Sequence, residues 1–260
     1  MDLELRNKVA LVTGGSRGLG RAICLALAAE GAKVAIHYFR DQGRNVDMHA
    51  DALDVAHAIQ AACGTPARPV PGDIARPEDI VEIFNLAETT LGPVGVLVNN
   101  AGIWPTACVK DITLEQWNQT LQVNLTGAFL TCQEAVRRWL TAGRKGRIVN
   151  IVSPAAFQGA TTGHAHYAAS KAGMVALTVS LAREVAAQGI CVNAVAPGLM
   201  DTEMARQAID SNLDHYLKRI PLGRVADPAE VAAAVAFLAS PRASYVTGAT
   251  WDVTGGMLMR

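Results

Sequence analysis

Neither sign of charge dominates this 260-residue chain: Lys and Arg number 23, Asp and Glu 23, and the formal net charge is zero. Attachment to nucleic acid or to an anionic membrane by bulk charge is therefore not expected. Only 18% of the residues are charged, whereas 50% are hydrophobic. That balance suits one large α/β domain and an oligomer that buries apolar helix faces. No uninterrupted apolar run reaches the ~20 residues of a membrane-spanning helix. The opening MDLELRNK is charged and has no apolar core segment, so no secretory signal is expected. The closing MLMR carries no lipidation signal. A cytoplasmic protein is the expectation.

Paired cysteines are also missing. Cys24, Cys63, Cys108, Cys132 and Cys191 are odd in number and no two form a C-x-x-C. Neither a disulfide framework nor a zinc site is expected, and the thiols suit a reducing compartment. The histidines are scattered. His164 and His166 flank Ala165 just before Tyr167 and should border a site there, but no third ligand lies near, so no metal is expected.

What the chain does have is alternation of short apolar runs with helical patterns. VALVT at Val9–Thr13 reads as a first strand, followed by a helix over Gly18–Glu30 that stops at Gly31. Further strands are expected at Lys33–His37, Arg68–Val70, Val94–Asn99, Arg147–Val152, Ile190–Ala196 and Thr250–Val253. Helices are expected near Ala50–Ala62, from Pro77, and over Leu114–Leu140, His166–Ala187 and Pro228–Ala239. Buried strands separated by helices predict an α/β fold: one domain, with a parallel sheet of about seven strands and helices on both faces. Asp41–His49 lacks helical periodicity and reads as an added loop.

Two motifs carry chemistry. The run TGGSRGLG at Thr13–Gly20 joins the first strand to the first helix. Such a turn aims backbone N–H groups and the positive end of the helix dipole at an anion, and its glycines let a pyrophosphate approach. Downstream, YAASK sets Tyr167 and Lys171 four residues apart, on one helix face. A tyrosine with a free pKa of roughly 10 is pulled down by a neighbouring ammonium, which makes it a proton donor and acceptor near neutral pH.

The spacing of Gly14, Gly18 and Gly20 departs from G-x-G-x-x-G and resembles the signature of the short-chain dehydrogenase/reductase family. The resemblance runs through nearly the whole chain, in order, and is nearest to the 3-oxoacyl reductase branch. It implies a doubly wound Rossmann domain over residues 1–260, with a cofactor half to about residue 150 and a catalytic half beyond it. Gly14, Ser16, Arg17, Gly18, Leu19 and Gly20 match the pyrophosphate turn. Asp73, with Ile74 after it, matches the adenine contact. NNAG, with Asn100, Ala101 and Gly102, matches the motif under the cofactor. PGLMDT, with Pro197, Gly198 and Thr202, matches the segment that holds the carboxamide. Asn124, Ser153, Tyr167 and Lys171 match the catalytic tetrad. Thr254 and Gly95 stand where the family commonly has aspartates.

The implied reaction is hydride transfer between a nicotinamide and a carbonyl or secondary alcohol carbon, with no metal. Tyr167 would move the proton, Lys171 would tune Tyr167 and hold the ribose, Ser153 would hold the reacting oxygen, and Asn124 would anchor a water. At the end of the second strand Tyr38 takes the usual acidic position and Arg40 follows, with Arg17 in the turn. Two guanidinium groups favour NADP(H), with NAD(H) the alternative. Arg44 is either a further cation for the 2′-phosphate or inert surface. Trp104, Phe157 and His164 are expected at the substrate pocket, under a lid formed by Met200–Gly223. The substrate is expected to be a small free carbonyl or alcohol. Carrier-linked reductases of the family have two basic docking positions. The first is matched here by Arg144, with Lys145 and Arg147 close by, whereas the second holds the neutral Gln188. A sugar, polyol or steroid-type dehydrogenase, a 3-oxoacyl carrier-protein reductase and a non-catalytic nucleotide-binding scaffold are the other readings. The family also implies a homotetramer paired through the helices that carry Asn124 and Tyr167.

Overall fold

Runs such as VALV and VGVLVN have no polar face, so they are stable as strands only where both sides are covered. The computed structural model describes residues 2–41, 43–160 and 163–260, apart from the side chains at 204, 207–209, 211 and 212. In chain order its elements are β1 (Val9–Val12), α1 (Gly18–Ala29), β2 (Lys33–Asp41), β3 (Val46–Asp47), α2 (His49–Cys63), β4 (Ala67–Gly72), α3 (Pro77–Leu91) and β5 (Val94–Asn99). Then come α4 (Leu114–Leu121), a π-helical turn (Gln122–Thr126), α5 (Gly127–Thr141), β6 (Arg147–Ile151), α6 (Ala155–Gln158), α7 (Ala165–Val185), β7 (Cys191–Pro197), α8 (Glu203–Leu217), α9 (Pro228–Ala239) and β8 (Thr250–Val253).

The parallel strands lie in the order β4-β2-β1-β5-β6-β7-β8. One face packs against α1, α2 and α9, where Ile23, Leu27, Val55, Ile59, Val231 and Val235 are buried. The other packs against α3, α5 and α7 through Ile83, Phe84, Ala135, Trp139 and Val185. This is the doubly wound α/β sheet that the alternation of patterns predicts, with its strand ends and helices placed within a few residues. The strand order reverses between β1 and β5. In such sheets the crevice beyond the strands' C-terminal ends, at the reversal, is where ligands sit.

Three elements differ from the expectation. β2 runs on to Asp41, and Arg40 and Asp41 pair antiparallel with Asp47 and Val46 of β3. The polar stretch is therefore a small hairpin and not an added loop. Its turn is closed by Asp41 Oδ1, which accepts from Gly43 N at 2.9 Å and Arg44 N at 3.3 Å, while Asn45 adopts φ 53°. The long helix expected over Leu114–Leu140 is present and runs unbroken to Thr141, but it carries a π turn at Gln122–Thr126. The lid segment contains a full helix, α8, which its polar composition does not signal.

Caps set the helix starts that the sequence makes plain. Thr113 and Gln116 form a reciprocal box at α4, and Asp227 and Glu230 form one at α9, where Pro228 also fills a first-turn position that needs no N–H donor. Arg138 clamps α5 to α3. Its Nη1 donates to Glu88 at 2.7 Å, its Nη2 to Asn85 at 2.8 Å and its Nε to Glu134 at 2.7 Å, and its guanidinium lies 5.3 Å from the Phe84 ring centre.

Candidate active site

A cleft of about 1160 Å³ opens along the C-terminal ends of β1, β5, β6 and β7. Its first wall is the turn between β1 and α1. Gly14 and Gly18 adopt φ 61° and 52°, which side-chain-bearing residues rarely do. A Cβ on Gly20 would overlap the Gly14 carbonyl and lie 2.6 Å from Asn100 Nδ2. The turn is held from the neighbouring strand. Asn100 Nδ2 donates to Thr13 O and Gly14 O, both at 3.0 Å, and Thr13 Oγ1 accepts from Asn100 N at 3.0 Å and Ala101 N at 3.1 Å. Ser16, Arg17, Gly18, Leu19 and Gly20 all line the cleft, and no acidic residue sits in the first turn of α1. The first-turn N–H groups and the dipole are thus presented to an anion.

His37, which the sequence reading passed over, completes this wall. It is buried, its Nδ1 accepts from Gly14 N at 3.1 Å and its Nε2–H donates to Gly72 O at 3.1 Å. The ring therefore joins the turn to the end of β4 as the neutral tautomer. Burial pushes its pKa down to about 4, against the smaller pull of Gly72 O and Asp79.

The adenosine end corrects the reading of β2. Successive side chains of a strand alternate in direction. His37 and Phe39 line the cleft, so Tyr38 and Arg40 face away from it. Tyr38 is 3% exposed, packed in the core on the α2 side with its hydroxyl 3.0 Å from His49 Nδ1, and Arg40 pairs with Asp47 at 3.6 Å. Arg44 and Met48 reach the cleft instead. The Asp41 carboxylate, 4% exposed, is spent on Arg44 at 3.4 Å and Arg76 at 3.6 Å. Asp73 and Ile74 line the same end, as expected, and Asp73 Oδ1 accepts from Ala75 N at 2.9 Å.

The other end holds the tetrad candidates. Ser153 follows β6, its Oγ accepting from Ala155 N at 3.2 Å as α6 begins. Tyr167 and Lys171 project from the first turns of α7 and line the cleft with Ser153. Lys171 Nζ donates to Ile151 O at 2.7 Å and lies 5.7 Å from the Tyr167 ring centre. Asn124 does not line the cleft. It is fully buried in the π turn, where the widened winding re-aims its side chain. Its Oδ1 accepts from Ile103 N at 2.8 Å, and its Nδ2 donates to Ile103 O at 2.9 Å and Ser170 Oγ at 3.1 Å. A Cβ on Gly102 would meet Asn124 Oδ1 at a tight 3.2 Å and Lys171 Nζ at an ordinary 3.7 Å, so the NNAG glycine makes room for Asn124.

The electrostatics differ from the simple picture of an ammonium lowering a phenol. Burial pushes the Tyr167 hydroxyl above its ordinary range, and the Ser153 hydrogen bond only partly offsets it. Burial also pushes Lys171 down to about 8. Desolvation outweighs the attraction expected from the i,i+4 spacing.

At the substrate end Trp104 lines the cleft, its ring 6.3 Å from that of Tyr167. His164 and Phe157 do not. His164 stacks behind Trp104 at 4.5 Å with its Nδ1–H on Pro105 O at 2.9 Å, and Phe157 lies under the Arg260 guanidinium at 3.6 Å. Thr202, Glu203 and Tyr216 bring the lid to the cleft, alongside Pro197 and Gly198. Thr254 stands behind Gly198, whose absent side chain would lie 2.8 Å from the Thr254 Cα, and Thr254 Oγ1 closes the next turn through Leu258. Among the described residues no group of three metal-ligating side chains is assembled.

Comparison with known proteins agrees with this architecture. The family model described as enoyl-(acyl carrier protein) reductase matches residues 14–258. The 3-oxoacyl-[acyl-carrier-protein] reductases of Vibrio cholerae and Escherichia coli are each 40% identical over 257 residues, which is 99% of this chain and 100% of theirs. Among solved structures, a short-chain type dehydrogenase/reductase from Mycobacterium marinum superposes with a TM-score of 0.92 at 32% identity, covering 100% of this chain and 98% of the other. A dehydrogenase/reductase from Sinorhizobium meliloti 1021 gives 0.88 at 34%, covering 99% and 98%. The chain belongs to the short-chain dehydrogenase/reductase family.

The His37 bridge has a pH signature. With a pKa of about 4 in the fold against 6.5 for a free histidine, the unfolded chain takes up a proton between those values that the folded chain refuses. The stability carried by the neutral ring is whole above pH 6.5 and drains away as the pH falls toward 4. His37→Asn cannot titrate. Comparing its unfolding free energy with the parent's at pH 7 and pH 4 should reveal a differential loss of about 3 kcal/mol in the parent. Parallel pH profiles would contradict the neutral assignment.

Proposed function

We propose that this chain is an NADP(H)-dependent oxidoreductase that moves a hydride between the nicotinamide and a carbonyl or secondary-alcohol carbon. The observation that carries the reading is the placement of Ser153, Tyr167 and Lys171 at one end of a cleft whose other end is a glycine turn with unspent helix N–H groups. The cleft fits a dinucleotide. Gly20 and Gly14 leave their backbone bare for the pyrophosphate, and Asp73 and Ile74 flank the adenosine. Lys171 would hold the nicotinamide ribose, and Thr202, which lies beside Gly18 in the cleft wall, would hold the carboxamide. When bound, the cofactor supplies or accepts the hydride.

The chain's own residues manage the proton and the charge. Tyr167 Oη donates its proton to the substrate oxygen in reduction and takes it back in oxidation. With the hydroxyl held above its ordinary pKa, the resting form is the protonated donor. Ser153 Oγ donates to the same oxygen and stabilises the charge that develops there. Lys171, with a pKa of about 8, stays largely charged at neutral pH and favours the transient phenolate. The Ile151 carbonyl sets the position of Lys171, and Asn124 holds the neighbouring Ser170 and Ile103. Trp104 and the lid screen the reacting carbon from water.

The preference for NADP(H) rests on charge. Arg17 and Arg44 both line the cleft, whereas Asp41, the carboxylate at the end of β2, is already committed to Arg44 and Arg76. The cations suit a 2′-phosphate, and Asp41 has no free carboxylate oxygen to offer a ribose hydroxyl.

Reduction of a 3-oxoacyl group on a carrier protein is the second reading, favoured by the names of the relatives 40% identical to the chain. Against it, only one of the two basic docking positions is kept: Arg144 holds the first, but the second has Gln188, which is neutral and exposed. We favour a small carbonyl compound. A homotetramer is part of the proposal: Leu114 on α4 and Phe129 and Leu140 on α5 are 68%, 43% and 47% exposed, apolar area that a second copy would cover. No helix among the described residues is long and apolar enough to cross a membrane, consistent with a proposed place in the cytoplasm.

Tyr167→Phe should keep NADPH binding and lower turnover by about a hundredfold to ten-thousandfold; a variant that retains most of the parent's turnover refutes the proton-donor role. Arg44→Asp should shift the kcat/KM ratio for NADPH over NADH by about tenfold to a hundredfold. Arg40→Asp, altering a residue outside the cleft, should barely move that ratio, and the reverse pattern would restore the assignment to Arg40. Light scattering at micromolar concentration should return the mass of four chains, and a monomer mass contradicts the assembly.

A further inference from the structure

The charges lining the cleft are unevenly committed. Its wall contains two carboxylates: Glu203, which pairs with Arg17 at 3.5 Å, and Asp73, which lies at the adenosine end beside Arg76. The cations are Arg17, Arg44, Lys171 and Arg219. Arg17 and Arg44 have carboxylate partners, and Lys171 is buried against Ile151 O. Arg219 forms no ion pair among the described residues, and the two carboxylates of the cleft wall are paired elsewhere. Its neighbour in sequence, Arg224, is by contrast locked to both carboxylate oxygens of Glu230 at 2.6 and 2.7 Å.

Arg219 is also firmly mounted. It lies just beyond α8, where its backbone N–H donates to Tyr216 O at 3.0 Å. The next residue, Ile220, is 4% exposed and packs under Gly255, and Leu222 N donates to Gly255 O at 3.1 Å. The turn that carries Arg219 is thus fastened to the segment after β8, and Arg219 lines, with Tyr216 and Met257, the cleft that also holds Trp104, Ser153 and Tyr167.

We propose that Arg219 binds an anionic group of the substrate, so that the physiological substrate is a carbonyl or alcohol compound bearing a carboxylate or phosphate. This rests on the oxidoreductase reading of the cleft. A guanidinium presents a planar fork to the two oxygens of such a group. An anion anchored there, with the carbonyl oxygen on Ser153 and Tyr167, gives the substrate two fixed points and one orientation. The apolar wall from Trp104 to Met257 covers the carbon chain between them. A neutral ketone has only one of the two holds.

The test compares parent and Arg219→Gln on matched substrates. One arm is 2-oxobutanoate, acetoacetate and levulinate, each against its methyl ester, which spans three separations of carbonyl and carboxylate. The other is acetoacetyl-pantetheine against acetoacetyl-4′-phosphopantetheine, which replaces the carboxylate by a carrier-type phosphate. In the parent, kcat/KM for at least one anion should exceed that of its neutral counterpart. Arg219→Gln should lose about tenfold to a hundredfold on that anion, in KM, with little change on the neutral compound. Arg219→Lys should recover part of the loss. The arm that responds identifies the source of the anion. Calorimetric titration of the same oxo acids into the NADP⁺-loaded protein reads the contact without turnover. Binding that Arg219→Gln weakens, in a protein that reduces no carbonyl, upholds the anion site and overturns the oxidoreductase reading. Turnover with anion and neutral compound equal in both proteins upholds that reading and overturns the anion site.

Discussion

Gly20 packs against the carbonyl of Gly14 so closely that no side chain fits at that position, and this approach brings the start of α1 to the end of β1. The rest of the cleft depends on it. The N–H groups of α1 face the crevice because the turn is bare backbone. The turn keeps its shape because three strands hold it: Thr13 from β1, Asn100 from the end of β5, and the neutral His37 from β2. These hydrogen bonds are part-buried and close on one another. Loss of any member leaves a partly buried donor or acceptor unpaired, which costs more than the bond itself contributes.

A second constraint works the same way at the other end. The π turn in the helix before β6 swings Asn124 into the gap above Gly102, where it binds both backbone groups of Ile103. Lys171 reaches the same gap from α7 and is anchored on the Ile151 carbonyl. The two ends are linked because Asn100 and Gly102 belong to one short run. Asn100 ties down the glycine turn, and two residues later Gly102 makes room for Asn124. NNAG is thus the hinge between the anion-binding half and the proton-handling half.

Much of this is legible in the sequence, for physical reasons. Strands such as VALV and VGVLVN announce themselves because full burial leaves no polar face, and Pro228 and Asp227 mark a helix start by their own stereochemistry. The glycine turn and the Tyr167–Lys171 pair are legible because local spacing alone determines them. What failed to show was non-local. Tyr38 and Arg40 are expected at the cofactor, but β2 continues as a strand through both, and its register in the sheet turns His37 and Phe39 to the cleft and their neighbours away. Phe157 and His164 are expected at the substrate pocket, yet one is drawn under Arg260 and the other behind Trp104, contacts between distant parts of the chain. The π turn is invisible because it depends on the fit of Asn124 against Ile103 across the fold. The rise in the Tyr167 pKa is invisible because it comes from burial, which spacing does not report.

The central claim is that the bare contact of Gly20 with Gly14 makes the dinucleotide site. Titration calorimetry of NADPH into the parent protein and into Gly20→Ala, with circular dichroism to confirm that both are folded, addresses it most directly. Clear binding to the parent and none to a folded Gly20→Ala is the predicted result. Equal affinity of the two proteins for NADPH would contradict the account.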